Sequence, residues 1–279
     1  MWAINKSPLV IGAAIDVSST PMESLSILGN EEVISINQDS LGKQAQLVRR
    51  HTEEEWDIWI GELSDSRKVL GIANWRNDSQ TVQVDLDVLG IKSAKARDVW
   101  AKSDLGSKSG VQTVDLLGHQ LQLWLLTDVI ASTPLQPSVY YPASNARLTG
   151  SATITSCQVD TCLPTGKKVG NISSGASATF SSVTVASDGT KVVSVDFINY
   201  DIATDSAWGF GDNARNMTIA VNGQAAKRWD FPISGGDWSE TGSLLVEVAG
   251  FKQGDANQVV FSSFGSTSAP DLVGFKVLE

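Results

Sequence analysis

The chain is poor in the residue types that metal and redox chemistry use. Its 279 residues include two His and two Cys. This is too few for a His/Cys metal cage, and a Ser-His-Asp triad would have to use His51 or His119. Neither histidine has a nucleophile of the right type nearby in the sequence, so we interpret both as surface residues. We therefore expect no metal and no cofactor.

Basic residues and long apolar runs are also scarce. Lys and Arg number 21 against 31 Asp and Glu, which gives a formal net charge of -10. No basic stripe is available to neutralise the phosphates of a nucleic acid or to approach an anionic membrane. No apolar run reaches the roughly 18–20 residues of a membrane-spanning helix. We predict a globular protein with neither nucleic acid nor membrane as a partner, and the length suits two domains.

The two cysteines and three sequons bear on the compartment. Cys157 and Cys162 lie five positions apart in TSCQVDTC. They are either a pair of free buried thiols or a small disulfide that closes a loop. We favour the disulfide, which would indicate an oxidising compartment. Asn-X-Ser/Thr sequons at Asn77, Asn171 and Asn216 point in the same direction. We predict a secreted protein with N-glycosylation at these three positions.

The N-terminal segment has the pattern of an α/β repeat. PLVIGAAI is typical of a strand buried on both faces, and Pro8 ends a helix in MWAINK before it. STPMESLSILGN predicts a helix with Thr20 as N-cap, Pro21 in the first helical position and Glu23 completing a capping box. Gly29 closes this helix, and EEVISINQ predicts a second short one. The order helix, strand, helix is that of a βα repeat.

The rest of the chain alternates with a period of two and predicts a mainly β protein. Short strands from Leu47 to Val129 suit an antiparallel sandwich. The stretch IASTPLQPSVYYPAS is a Pro/Ser-containing connection, and the strands after it, joined by turns such as Asn222-Gly223, suit a jelly roll. The predicted domains are a barrel-like segment, a sandwich and a jelly roll, at residues 1–45, 46–130 and 138–279.

An ordered string of short motifs in the first 42 residues carries a family resemblance. The motifs are Trp2-Ala3-Ile4, Ser7-Pro8-Leu9, Glu32-Val33-Ile34, Ile36-Asn37-Gln38-Asp39 and Leu41-Gly42. This string resembles the last barrel segment of glycoside hydrolase family 27, the α-galactosidases. The resemblance implies the last strand and helices of a (β/α)8 barrel, followed by an antiparallel β domain, in an enzyme that removes terminal α-linked galactose with retention.

The C-terminal segment resembles a carbohydrate-binding module of family 35, which has a galactose-binding-like jelly-roll fold. The motifs that carry this resemblance are YYPASNARLTGSA, GKKVGNISSGASATF, VDFINYD, MTIAVNG and PDLVGFKVLE, in this order. The three-part layout resembles fungal α-galactosidases with a C-terminal extension. Family members hold a structural calcium with acids near the two ends of the module, where this chain has Ser144 and Val273. Since calcium prefers carboxylate ligands, we predict no metal here.

The resemblance also decides where catalytic and sugar-contacting residues are expected. Retaining glycosidases need two carboxyl groups about 5–5.5 Å apart, and the resemblance implies that both lie upstream of this sequence. We therefore predict no catalytic residue in this chain. Asp16 is the one acid near the active face of the predicted barrel strand. With Asn199, Tyr200 and the loop aromatic Trp208, it is a candidate contact for a galactose-containing oligo- or polysaccharide.

The other tryptophans are interpreted as structural. Trp56, Trp75, Trp100 and Trp124 fall inside strand patterns and are predicted to be core residues. Trp238, in GGDWSETG, resembles a packed position of the module family and is also predicted to be structural.

The start of the chain allows two interpretations. MWAINKSPLVIGAAIDVSST could be a signal peptide, but Pro8 splits its apolar run and Asp16 stands where small cleavage residues belong. We favour an internal barrel segment and expect the secretion signal and the catalytic acids before Met1. We also expect residues 1–45 to be loosely held, because a barrel strand without neighbours exposes its edges.

Three hypotheses for function remain. The chain is the C-terminal portion of an α-galactosidase, inactive alone; or a non-catalytic carbohydrate-binding protein; or a structural tail. Hydrolysis of an aryl α-galactoside tests the first hypothesis, and sugar binding separates the second from the third.

Overall fold

The computed structural model of this chain forms two compact units. The residues that the structure describes are 1–12, 20–133, 137–202 and 214–279. Unit 1 contains Met1–Val48 and Glu55–Pro134, and unit 2 contains Arg49–Glu54 and Leu135–Glu279. Both are built mainly from β-strands, which confirms the mainly β fold class that was predicted, whereas the barrel remnant in it stays a prediction. Within the described ranges, no helix has the length and apolar character needed to cross a bilayer.

The described residues of unit 1 form two short helices, α1 (Met22–Leu28) and α2 (Glu31–Asn37). The capping box predicted for α1 is wrong, because Pro21 is the N-cap and no side chain caps the first turn. Gly29 ends α1 as predicted, and Asn30 then caps α2. The Oδ1 atom of Asn30 accepts the N–H groups of the second and third residues of α2 at 3.0 and 3.2 Å, as an N-cap side chain should.

The segment before these helices differs from the predicted helix and strand. Residues 2–6 form hydrogen-bonded turns, and residues 8–12 form no strand. Residues 13–19, which include most of the predicted strand and Asp16, lie outside the described ranges. The apolar pattern alone misled the prediction for 8–12, since a strand buried on both faces needs neighbours that supply its hydrogen bonds.

The sandwich of unit 1 consists of a large sheet and a small two-stranded sheet. In chain order the strands are β1 (Gln46–His51), β2 (Trp56–Glu62), β3 (Lys68–Asn74), β4 (Gln80–Asp85), β5 (Ile91–Asp98), β6 (Ser103–Lys108), β7 (Val111–Leu116) and β8 (Leu121–Ala131). The large sheet has the order β1-β2-β3-β8-β5-β6, and β4 pairs with β7 in a separate two-stranded sheet.

Both faces of the large sheet are covered. The two-stranded β4–β7 sheet covers one face, where Val84 and Leu116 pack with Ile72 and Leu126 in one apolar cluster. On the other face, Ile4 joins residues of α2 and the sheet in a second cluster. The expectation that residues 1–45 are loosely held is therefore wrong for the parts around Ile4 and α2, which are anchored by buried side chains.

Unit 2 contains eleven strands and one short 3-10 helix, Ala143–Asn145, in its described residues. In chain order the strands are β9 (Pro137–Pro142), β10 (Arg147–Thr149), β11 (Thr153–Ser156), β12 (Lys167–Gly170), β13 (Ser177–Val185), β14 (Gly189–Ile198), β15 (Ala214–Val221), β16 (Lys227–Pro232), β17 (Gly242–Phe251), β18 (Gly254–Ser263) and β19 (Asp271–Leu278).

These strands form two facing antiparallel sheets, as predicted for a jelly roll. One has the order β11-β12-β19-β14-β17, with β9 also paired to β19, and the other has the order β10-β13-β18-β15-β16. Aromatic rings pack between the sheets. The ring centre of Phe275, on β19, lies 4.9 Å from that of Phe180 and 5.2 Å from that of Phe261, which are both on the opposite sheet. Phe197 and Phe231 form a further edge-to-face pair at 4.9 Å. These rings form the centre of the core.

The segment Arg49–Glu54 belongs to unit 2. Its Thr52 Oγ1 accepts the backbone N–H of Asp230 at 2.8 Å, and Glu54 forms an ion pair with Lys227 at 2.8 Å. Both partners lie on β16, which is an edge strand of its sheet. Hydrogen bonds from side chains to an edge strand satisfy backbone groups that could otherwise pair with another chain.

Candidate functional site

Two of the predicted sugar contacts, Asn199 and Tyr200, lie at one end of unit 2, where two loops meet. One loop follows β14 and begins with Asn199 and Tyr200, and the other, residues 233–241, joins β16 to β17. Ser234 connects the two loops. Its backbone N–H donates to the Asn199 carbonyl at 2.9 Å, and its Oγ accepts the backbone N–H of Asn199 at 3.0 Å. We call this region the loop end.

Asn199 lies beneath the loop end. Its side chain is fully buried, and Nδ2 donates to the carbonyls of Phe231 at 2.9 Å and Pro232 at 3.3 Å. Its Oδ1 accepts the N–H of Asp201 at 3.0 Å. These contacts hold the loop in place, and a sugar contact by Asn199 stays a prediction. Tyr200 is half-buried beside it, whereas Trp208 lies outside the described residues.

Trp238 stands at the surface of the loop end with two cations beside it. Its side chain is 38% exposed, which differs from the packed position predicted. The guanidinium carbon of Arg215 lies 4.9 Å from the centre of the indole ring, and Lys168 Nζ lies 5.8 Å away. Cations over an aromatic face are attracted to its quadrupole, so they fix the ring in one orientation.

The two cations are themselves held by acids. Arg215 Nε donates to Asp201 Oδ2 at 3.0 Å. Lys168 Nζ lies 2.9 Å from Asp271 Oδ2 and donates to the Trp238 carbonyl at 2.7 Å. An indole face with charged donors and acceptors around it is suited to a sugar ring, because the C–H face packs on the ring and the hydroxyls take the hydrogen bonds.

A polar cavity of about 460 Å³ adjoins this cluster. One wall is the disulfide loop, and the other is the loop between β16 and β17. The lining residues are Asp160, Thr161, Cys162, Leu163, Ser234, Ser239, Glu240 and Thr241. Its size lies within the range of about 300–1,000 Å³ that is usual for small-molecule pockets.

The disulfide that shapes this cavity is formed as predicted, between Cys157 and Cys162. Cys162 is buried and packs with Ile198 and Val273. The covalent link therefore fastens the disulfide loop to the core beneath the loop end.

One acid at the loop end, Asp237, is held in its ionised form. The hydroxyl and backbone N–H of Ser239 both donate to Asp237 and keep the pKa of its carboxyl below the usual value. Glu240 accepts the N–H of Gly236 at 3.0 Å. Across the described residues, no three His, Cys, Asp or Glu side chains are grouped so that they could hold a metal ion.

Several other predicted residues lie away from the loop end. His119 is exposed, as predicted, but His51 is only 7% exposed, so its assignment to the surface is wrong. Burial lowers the pKa of His51 to about 4, and the nearby Arg49 cation acts in the same direction. The alternation pattern did not predict the burial of His51, because His51 is buried by the packing of its segment on β16.

The predicted core tryptophans divide into two groups. Trp56 and Trp124 are buried and Trp100 is half-buried in the apolar clusters, as predicted. Trp75 is 46% exposed, so its assignment to the core is wrong. It is the first residue after β3, and its indole N–H donates to the buried Asp57 at 2.8 Å.

Sequence reasoning did not find Arg215, Lys168 or Asp201 as part of the loop end. Each lies on a different element, and no local motif connects them. Arg215 opens β15, whereas Lys168 lies on the short strand β12. Only the pairing of strands brings these side chains to one indole ring.

Comparison with known proteins gives two family matches. Residues 53–126 match the model described as alpha galactosidase C-terminal beta sandwich domain. Residues 177–277 match the model described as alpha-galactosidase, CBM13 domain. The first match falls in unit 1 apart from its first two residues, and the second falls in unit 2.

Relatives along the whole chain are fungal. A protein named probable alpha-galactosidase D from Aspergillus niger is 29% identical, with all of this chain and 59% of the relative aligned. Its counterpart in Aspergillus flavus is 30% identical over the same shares, and alpha-galactosidase D of Emericella nidulans is 27% identical over 58% of its length. The chain thus spans somewhat more than half the length of these relatives.

Two solved structures each align with about half of the chain. The α-galactosidase I of Mortierella vinacea aligns with 47% of this chain and 34% of its own, at 26% identity and a TM-score of 0.42. A family 35 carbohydrate-binding module from Clostridium thermocellum aligns with 51% of this chain and 99% of its own, at 25% identity and a TM-score of 0.44. Residues 53–126 and 177–277 are thus similar to two domains described for alpha-galactosidases, a C-terminal beta sandwich domain and a CBM13 domain, and the whole chain is similar to part of the fungal relatives.

Proposed function

We propose that this chain is the C-terminal portion of a secreted α-galactosidase and that the loop end of unit 2 binds galactose-containing oligo- or polysaccharides. The observation that carries the proposal is the partly exposed Trp238, which lies against Arg215 beside a polar cavity. The names of the relatives support the substrate class, and the disulfide supports an oxidising compartment.

The contacts expected for a bound sugar follow from this arrangement. Trp238 offers an indole face for the C–H side of a pyranose ring, and Tyr200 and Trp208 are further aromatic candidates. Asp237 offers an ionised acceptor for hydroxyl groups. Asn199 acts as a positioning residue, because its amide groups are engaged with the protein.

Titration calorimetry with galactose and α-galactosyl oligosaccharides tests the binding. In Trp238→Ala we expect about tenfold weaker binding, which corresponds to the loss of roughly 1.4 kcal/mol of stacking. Trp2→Ala is the matched control, since Trp2 is 64% exposed in unit 1 and belongs to no part of the loop end. Equal weakening in both variants, or unchanged affinity in Trp238→Ala, would contradict this assignment.

We further propose that the chain alone does not hydrolyse galactosides. Retaining hydrolysis needs a nucleophile and an acid/base carboxyl, and on the family resemblance we expect both upstream of this sequence. Incubation with an aryl α-galactoside should release no product above background. Release that is abolished in Asp16→Asn would show that this chain does carry part of a working active site.

A structural role remains the second candidate, because unit 1 has an apolar groove of about 490 Å³. Exposed Leu9, Val10, Ile27 and Leu28 line it. Exposed apolar patches of this kind mark interaction surfaces. This role would gain support if no sugar bound the chain and if serine substitutions at Val10 and Ile27 improved its solubility.

A further inference from the structure

The polar cavity at the loop end depends on one loop for half of its lining. The disulfide loop, residues 157–166, joins β11 to β12 and supplies four of the eight lining residues, Asp160, Thr161, Cys162 and Leu163. The other four belong to the loop between β16 and β17. A ligand in this cavity therefore lies between two loops, and both loops have to keep their positions to hold it.

The strands that carry the disulfide loop give it little support. β11 lies at the edge of its sheet, and its four residues are all exposed. β11 and β12 pair from Thr153 with Gly170 to Ser156 with Lys167, so the loop extends from the end of a short hairpin. Because β11 packs no side chain into the core, the position of the disulfide loop has to be set by contacts of the loop itself.

The hydrogen bonds of the disulfide loop stay within it. The backbone N–H of Cys157 donates to the Gly166 carbonyl at 2.9 Å, and that of Gly166 donates to the Cys162 carbonyl at 3.0 Å. The backbone N–H of Thr161 donates to the Gln158 carbonyl at 3.1 Å. Across the described part of the chain, no hydrogen bond of this loop reaches another segment. These bonds shape the loop but do not fasten it beside the cavity.

The two linked cysteines are the contact of this loop with the core. Cys162 is 2% exposed and is the one buried residue of the loop, all of which the structure describes. It packs with Ile198 and Val273, and the half-buried Cys157 packs against the same cluster. The bond between the two sulfur atoms therefore holds both ends of the exposed stretch 158–161 against the core.

The backbone of this stretch also depends on being held. Asp160 and Cys162 have φ angles of 63° and 51°, in the left-handed region that residues with a side chain seldom adopt. Such conformations persist where the surroundings fix them. If the link between the sulfur atoms is broken, the stretch is free to relax, and the Asp160 carboxylate leaves its place in the cavity wall.

We propose that the Cys157–Cys162 disulfide controls sugar binding at the loop end, and that Asp160 accepts a hydrogen bond from a hydroxyl of the bound sugar. This inference rests on the proposed function. A dithiol reductant breaks the S–S bond and supplies two electrons and two protons, so that two S–H groups form and the dithiol becomes a disulfide. A sugar then has to order the released loop when it binds, and the lost chain entropy weakens the complex.

The test measures the affinity of the full chain for an α-galactosyl oligosaccharide by equilibrium dialysis, before and after reduction with dithiothreitol. Mass spectrometry confirms the gain of two hydrogen atoms. Binding should weaken about tenfold on reduction, while the circular dichroism stays native because the other core contacts of unit 2 remain. The double variant Cys157→Ala, Cys162→Ala should bind as weakly as the reduced chain and should not respond to dithiothreitol.

Two substitutions in the oxidised chain test the contact with the sugar. Asp160→Gly removes the carboxylate and keeps the left-handed backbone, which glycine adopts freely. The affinity should fall about tenfold, as expected for the loss of a hydrogen bond to a charged group. Val159→Ala is the matched control, because Val159 is 88% exposed on the same loop and does not line the cavity, so the affinity should not change.

The outcomes separate this inference from the proposed function. Equal affinity of the oxidised and reduced chains would overturn control by the disulfide and leave the proposed function intact. Weaker binding together with loss of the native circular dichroism would also overturn it, because the disulfide would then act through the stability of unit 2. Unchanged affinity in Asp160→Gly would overturn the contact by Asp160. No binding to the oxidised parent chain would refute the proposed function, and this inference with it.

Discussion

Replacing Asn199 by alanine separates the scaffold of the loop end from its sugar-contacting surface. The change removes two donated hydrogen bonds, to the carbonyls of Phe231 and Pro232, and one accepted from the N–H of Asp201. A buried hydrogen bond contributes about 1 kcal/mol net, and a buried polar group that loses its partner costs about 1–3 kcal/mol. Because Asn199 is fully buried, we expect unit 2 to lose about 2–4 kcal/mol of unfolding free energy.

Urea denaturation, followed by circular dichroism, measures this loss. Asn145→Ala is the matched control, because Asn145 is exposed in the same unit and the substitution should change the stability by less than about 0.5 kcal/mol. Galactoside affinity is measured on both variants at a temperature where they are folded. Full stability of Asn199→Ala with complete loss of binding would refute our reasoning and identify Asn199 as a direct sugar contact.

Three further predictions concern stability. The folded-state pKa of His51, about 4, lies below its unfolded value, so its contribution is complete above about pH 6.5 and is lost as the pH falls toward 4. Acid titration of the unfolding free energy should show a loss of roughly 2–3 kcal/mol that His51→Gln removes, and an unchanged profile would contradict this. Ile4→Ala should cost unit 1 about 2–5 kcal/mol and speed proteolytic trimming of the N-terminus, whereas the exposed Val10→Ala should do neither. In Gly274→Ala the new Cβ would lie 2.5 Å from the hydroxyl oxygen of Tyr140, so the midpoint of thermal unfolding should fall; an unchanged midpoint would show that Tyr140 moves away freely.

The β architecture could be predicted from the sequence because it follows from short-range patterns. Period-two alternation indicated the strands themselves, and it placed Trp56 and Trp124 correctly. It did not predict that β2 and β3 are buried on both faces. Trp75 was misassigned because β3 ends one residue before it. An error of one residue in a strand boundary is enough to move a side chain from the core to the surface. His51 was misassigned because its burial depends on a segment remote in sequence, β16.

The candidate site was only partly predictable. The stretch around Asn199 and Tyr200 could be selected from its position after a strand and its side-chain types. The contact between Trp238 and Arg215 could not be predicted from the sequence, because it depends on how β15 and the loop between β16 and β17 meet in space. The surroundings of the sequons could not be predicted either. Asn77 and Asn216 have the same local motif, but Asn77 lies in a loop and Asn216 lies in the paired strand β15.

Hydrogen–deuterium exchange with and without an α-galactosyl oligosaccharide tests the central claim most directly. Sugar bound at the loop end should slow exchange in residues 199–202 and 233–241, because it restricts the opening of loops held by Ser234 and Asn199. Unit 1 should exchange at the same rate in both states. The account predicts protection at the loop end that needs about tenfold more sugar in Trp238→Ala. Protection confined to unit 1, or none at saturating sugar, would contradict it.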